Sequence, residues 1–160
     1  MLRNHSWRTA SLVMALTVIV GLALPALGDH WRPFSGHADE ERKGPPMPVD
    51  DGIQVTTTGA GWATHLGSFT REATVVIHAD GSAEGTVKFT AANGDQLWAD
   101  IEGASPIPIS STTRVGTYTF TGGTGRFSDA SGEADFVGVT TFDSAGNPHI
   151  AVDFEGTIQY

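Results

Sequence analysis

From residue 52 onward, apolar and polar positions alternate with a period of two. Ile150, Val152, Phe154, Ile158 and Tyr160 fall on one side of the last such run, and Asp153, Glu155, Thr157 and Gln159 fall on the other. Val87, Phe89 and Ala91 oppose Thr86, Lys88 and Thr90 in the same way, and Tyr118 and Phe120 oppose Thr117, Thr119 and Thr121. Successive side chains of a strand point to opposite faces, so this period marks half-buried strands. No long stretch repeats at 3.6 residues, so no amphipathic helix is predicted. Turn chemistry bounds the runs. Asp80-Gly81 and Asn93-Gly94 are tight-turn pairs, and Asp143 to Pro148 is a longer turn. Ser105-Pro106-Ile107-Pro108 reads as a loop, because neither proline can donate to a central ladder. These breaks predict strands near 53–59, 62–67, 69–78, 84–92, 96–103, 114–121, 133–142 and 149–159.

The short connections leave no room for crossover helices. Gly85, Gly116, Gly138 and Gly156 lie inside strands, where glycine permits sharp coiling. Closing the sheet on itself removes its edges. The prediction is all-β, a single eight-stranded antiparallel barrel over residues 52–160, with a two-sheet sandwich as the alternative.

The first 51 residues read differently. Arg3 and Arg8 precede an uncharged run from Thr9 to Leu24, and Pro25-Ala26-Leu27-Gly28 ends it with small residues. This is the pattern of a secretory signal peptide over residues 1–28, cleaved before Asp29. The apolar run is shorter than the about 20 residues of a bilayer span. A secreted or periplasmic protein follows, with no membrane contact once the leader is removed. Residues 29–51 are rich in charge and proline and read as a disordered polar linker. His30, His37, Asp39, Glu40 and Glu41 there could hold a metal only loosely, and a solvated tail is the plainer reading.

Composition narrows the function. The chain has 160 residues, no Cys, 9 Lys and Arg, and 18 Asp and Glu. Thiol chemistry, disulfides and Cys zinc sites are excluded. The net charge of −9, falling to −11 when Arg3 and Arg8 leave with the leader, argues against nucleic acid as a partner.

Candidate chemistry is sparse. His65 is a candidate general base or ligand-orienting donor near a barrel end. Glu72 shares a strand face with Thr74 and His78 and would matter only if that face lined a cavity. Asp100 and Glu102 stand two apart on one face, about 6–7 Å from each other, as paired carboxylates can. Glu133 with Asp135 and Asp153 with Glu155 repeat that spacing, so it is not specific. Trp62, Trp98 and Tyr118 are candidate walls of a ligand site, with plain packing as the alternative. No HxH, HExxH or EF-hand spacing occurs, and no metal or cofactor is expected. A calcium ion on the acidic loop from Asp129 to Glu133 is a weak candidate. Ala60-Gly61-Trp62 lacks the first glycine of a lipocalin's Gly-x-Trp.

One loop is distinctive. Gly122-Gly123-Thr124-Gly125-Arg126-Phe127 follows a strand and leads through Ala130-Ser131-Gly132 into the next. Its glycines allow positive φ in a tight connection, Phe127 can plug a barrel end, and Arg126 can pair with Asp129 or a strand acid. Without a GK[ST] and a following helix it is not a phosphate loop. The stretch resembles the signature loop of dirigent proteins, which share a barrel with allene oxide cyclases. The likeness extends loosely over residues 60–160, through Leu66-Gly67-Ser68-Phe69 and Asn93 to Leu97. It implies an eight-stranded antiparallel barrel, an apolar central cavity and a homotrimer. The family's catalytic groups do not match particular positions here.

The functional expectation is a barrel that binds a small apolar ligand, or self-assembles, without catalysis. The alternative is an isomerase, cyclase or dirigent-like protein that steers a reactive apolar substrate.

Overall fold

The computed structural model describes residues 30–104 and 112–160. The segment expected as a signal peptide and the loop expected at Ser105 to Pro108 lie outside the described residues. The strands are β1 (Arg32–Arg42), β2 (Met47–Val49), β3 (Gly52–Ala63), β4 (Gly67–His78), β5 (Ser82–Ala91), β6 (Gln96–Ala104), β7 (Thr113–Gly123), β8 (Ser131–Phe142) and β9 (Pro148–Gln159). The order is β1-β9-β8-β7-β6-β5-β4-β3-β2, and β1 also pairs with β3. That last pairing closes eight antiparallel strands into a barrel, with β2 as a short extension along β3. Apart from the step from β1 to β2, which lie one after the other along β3, every connection described joins paired neighbours, as the turn chemistry predicts. Asp80 accepts from the Ser82 amide at 2.9 Å, and Asn93 accepts from the Asp95 amide at 3.1 Å.

The barrel has the expected number of strands but a different set of them. The runs near 53–59 and 62–67 are largely one strand, β3, which continues through Gly59 and Gly61. The eighth strand is β1, drawn from the segment expected as a linker. It pairs with β9 from Arg32↔Ile158 to Glu41↔His149, and with β3 from Gly36↔Ala63 to Arg42↔Thr57. The folded domain therefore begins at Arg32, not Gly52. Average composition hides the pattern of this segment, in which Phe34, Ala38 and Glu40 are buried. Strand β1 passes close to β3 because Gly61 has no side chain; a Cβ there would stand 2.0 Å from the His37 carbonyl oxygen.

The faces alternate as predicted. Val87, Phe89, Tyr118, Phe120, Val152, Phe154 and Ile158 are buried together. Phe34 meets Phe120 edge-on at 5.0 Å and stacks on Phe154 at 5.4 Å. One pole is plugged. Phe127 is fully buried there, 5.0 Å from the Tyr160 ring. Gly122 and Gly125 take positive φ, whereas Gly123 is demanded by space: a Cβ there would stand 1.9 Å from the Gln96 carbonyl oxygen. Arg126 pairs with neither Asp129 nor a strand acid. It reaches Asp95 of the β5–β6 turn at 3.7 Å and lies over Phe127.

Outside the barrel, His37 Nδ1 bonds Asp153 across β1 and β9 at 2.8 Å. The Asp153 hydrogen bond raises the imidazole above its ordinary value of 6.5. A raised folded pKa stabilises below the unfolded value and loses that contribution as pH rises through the folded one. His37→Gln is therefore expected to cost stability at pH 5.5 and almost nothing at pH 8.5. Half-exposure keeps the difference well under 1 kcal/mol. Urea midpoints of both proteins at the two pH values check this; equal losses at both would refute it.

Candidate functional site

Glu40, Thr57, Arg71 and Tyr118 meet inside the barrel among the apolar side chains. Period two puts Arg71 on the inward side of β4 with Phe69, Ala73, Val75 and Ile77, while Thr70, Glu72 and Thr74 face out. On β1 the same period sends Glu40 inward after Ala38. The ladder aligns Glu40 with Gly59 and Gly59 with Arg71. Gly59 thus stands between the two charges, and a Cβ there would lie 2.8 Å from Glu40 Cγ. Its missing side chain lets Arg71 Nη1 reach Glu40 Oε1 in a buried ion pair. Thr57 donates to the other Glu40 oxygen at 2.6 Å, and Arg71 Nη2 donates to the Tyr118 hydroxyl at 2.8 Å. The guanidinium also lies 5.7 Å from the Phe89 ring centroid and 5.6 Å from that of Tyr118.

Arg71 and Glu40 are almost completely buried. Burial pushes the Arg71 guanidinium below its ordinary value, and Tyr118 opposes that shift. Burial pushes the Tyr118 phenol up, against the pull of Arg71. Arg71 Nε is buried with no hydrogen-bond partner among the described residues. Tyr118 accepts from Arg71, so its own O–H is left as a donor.

These groups form the floor of a cavity of about 280 Å³ at the pole opposite Phe127. Ile53, Val55, Val75, Ile101, Phe136 and Ile150 are among its walls, and Arg42 and Arg114 also line it. Burial lowers Arg114 below the ordinary guanidinium value. An apolar well with a few convergent polar groups is the usual form of a small-molecule site.

The sequence candidates lie elsewhere, with one exception. Tyr118 is the exception, on the cavity floor. His65 sits in the β3–β4 turn at the plugged pole with φ of 66°, its Nε2 3.0 Å from the Pro33 carbonyl oxygen. Glu72 faces solvent between Lys43 and Lys88, 3.4 Å from each, and these hydrogen bonds hold its carboxyl below the usual range. Glu72, Trp98 and Asp100 come together, but in a shallow groove on the outer face. Trp62 and Trp98 are 58% and 41% exposed, so neither walls the barrel cavity. A larger concavity of about 850 Å³ runs over the outer surface, past Asp39, Glu41, Glu72, Lys88 and His149. Those charged groups are solvated, and the buried Glu40 and Arg71 also reach its lining from the barrel side. Among the described residues no His, Asp and Glu group could hold a metal ion. The weak calcium candidate thus gains no cluster.

The sequence does not mark Arg71 as a site residue, and it offers Glu40 only as a loose metal ligand in a linker, not as the buried partner of an arginine. The signal for Arg71 is its place in the run Phe69-x-Arg71-x-Ala73-x-Val75, a charge on an apolar face. The signal for Glu40 is visible only once β1 is recognised as a strand.

No family model matches the chain, and no curated protein matches it. Among solved structures, the pterocarpan synthase dirigent protein PsPTS1 is similar at a TM-score of 0.52 and 10% identity, over 82% of this chain and 96% of that one. The pterocarpan synthase dirigent protein GePTS1 gives 0.48 and 12%, over 82% and 86%. A protein of unknown function from Clostridium acetobutylicum gives 0.43 and 12%, over 79% and 98%. The likeness to PsPTS1 establishes a dirigent-like barrel fold.

Proposed function

We propose that this protein is an exported barrel that binds a small, largely apolar molecule through its open pole without transforming it. One observation carries the reading. The cavity joins apolar walls to a floor of Glu40, Arg71, Tyr118 and Thr57 whose groups mainly satisfy one another. Such a floor can offer a hydrogen bond from Tyr118 while the walls supply the hydrophobic contribution. Export rests on the basic, apolar and small-residue order of residues 1–28. Assembly into a trimer is part of the same proposal, supported by the dirigent-like loop and barrel.

A second reading is a dirigent-like or isomerase role, in which the cavity steers a reactive apolar substrate. The buried carboxylate and phenol at the floor favour it, since such pairs can exchange protons with a bound molecule.

Binding is tested with the mature chain from Asp29, purified without detergent. Native mass spectrometry reads oligomer order and any retained small mass. The neutral dye N-phenyl-1-naphthylamine should brighten on adding protein, and Ile150→Trp, which fills the well, should abolish the response. A bare protein that leaves the dye unchanged would overturn the binding reading. If a retained molecule is found, its conversion by the wild type but not by Tyr118→Phe would decide for the second reading.

A further inference from the structure

We propose that the outer face of the barrel binds a neutral polysaccharide chain in the trough between β9 and β6, with one sugar ring laid on Trp98. This site lies on the other side of the sheet from the barrel cavity and does not rest on the cavity's ligand.

The ladders set two rows of outward side chains beside each other. One runs Ala151, Asp39, Ala60, Thr70 and Thr90, from β9 to β5. The other runs His149, Glu41, Thr58, Glu72 and Lys88, and reaches Trp98 of β6. The concavity of about 850 Å³ follows both rows to β5, and the groove at Trp98 shares Glu72 and Lys88 with it. The steps β9–β1, β1–β3, β3–β4, β4–β5 and β5–β6, at about 4.8 Å each, make a path of about 24 Å. That length suits a linear chain and exceeds one small molecule. Charge then selects the chain. Asp39 meets His37 at 3.4 Å, Glu41 meets His149 at 3.8 Å, and Glu72 lies between Lys43 and Lys88. Donors and acceptors therefore alternate along the trough, with no bare stretch of one sign. From residue 29 onward, 7 Lys and Arg against 18 Asp and Glu also repel an anionic polymer. Thr58, Thr70 and Thr90 add hydroxyls that make no side-chain hydrogen bond among the described residues. A peptide would need pockets for its alternate side chains, and the alanines and threonines here form none. A sugar needs hydrogen bonds along its edges and a flat apolar surface under its C–H face. Trp98 supplies that surface, because its indole is 41% exposed. Its Nε1 donates to Gln96 Oε1 at 3.2 Å, which fixes the ring. The β6–β7 ladder slips at this point, so Gly122, with no side chain to cover the ring, stands opposite.

The test presents the chain from Asp29 with cellohexaose, xylohexaose, mannohexaose and maltohexaose, and with hexagalacturonate as the anionic control. Calorimetry and tryptophan emission read binding. At least one neutral hexasaccharide is expected to bind and shift the emission, about tenfold tighter than its own disaccharide, because the short sugar fills only part of the trough. Trp98→Ala should weaken that binding about tenfold, as loss of an aromatic anchor does. Ala60→Leu, at an exposed position midway along the trough, should weaken it as much by filling the path. Both variants should keep the wild-type melting temperature and the full response to N-phenyl-1-naphthylamine, which reports the barrel cavity. Failure of every neutral hexasaccharide would overturn the proposal, and so would a preference for hexagalacturonate or unchanged binding in both variants. A sugar that displaced the dye would also overturn it, by placing the sugar in the cavity. Absence of a dye response alone would count against the cavity reading and leave this site standing.

Discussion

Arg71→Met is expected to destabilise the protein by about 3–5 kcal/mol, because it leaves the Glu40 carboxylate buried without its cation. At about 3 °C per kcal/mol for a domain of this size, the melting temperature should fall by roughly 10–15 °C. The loss does not measure the strength of the pair. Most of it is the penalty of an uncompensated charge in a low-dielectric interior. The double variant Glu40→Leu with Arg71→Met separates the two. It removes both charges at similar volume and should recover most of the loss, giving a coupling of several kcal/mol in a double-mutant cycle. Urea unfolding of the wild type, both single variants and the double variant makes the measurement. A single-variant loss under about 1 kcal/mol, or a double variant no better than Arg71→Met, would mean that the charges are solvated.

A chain beginning at Gly52 is expected not to fold, whereas one beginning at His30 should unfold cooperatively. The shorter chain retains the seven long strands from β3 to β9 but lacks β1. It loses Phe34, fully buried between Phe120 and Phe154, at a cost of about 3–5 kcal/mol. It also orphans Arg71, for a similar amount. Together these approach the whole stability of a domain, about 5–15 kcal/mol. Strands β3 and β9 would in addition become free edges, open to pairing between molecules. Circular dichroism melts and sedimentation of the two chains decide it. A monomeric, cooperative protein from the shorter chain would show β1 to be an accessory strand.

These two variants also mark what could be read from the chain. Alternation around Phe89, Tyr118 and Phe154 revealed the strands and the buried face, because each run carries two or three large apolar groups. Asp80-Gly81 and Asn93-Gly94 placed the turns, because their chemistry is local. Strand β1 escaped notice because its inward face carries Phe34, Gly36, Ala38 and Glu40, a single large apolar residue in four. Its evidence is non-local, lying in the match of Gly61 and Gly59 to its backbone and of Arg71 to its carboxylate. The site was hidden for the same reason. Glu72 is as noticeable as Arg71 in sequence, yet one residue of register sends it to solvent and Arg71 to the interior. Tyr118 was visible because a tyrosine in an apolar run is both core and chemistry.

The pairing that closes the barrel also decides which way it faces. Arg32 bonds the Tyr160 hydroxyl at 3.1 Å, and Thr64 Oγ1 accepts from the Ser35 amide at 2.9 Å. The first and last described residues thus leave together at the plugged pole, and the mouth lies at the other. Anything joined to either end, whether an affinity tag, a surface linkage or a fused domain, attaches behind the protein and leaves its entrance facing outward. The two ends are also near enough to be spliced by a short linker. That would permit a permuted chain with new termini at the Asp80-Gly81 turn, on the mouth side, whose tag would then stand at the entrance instead.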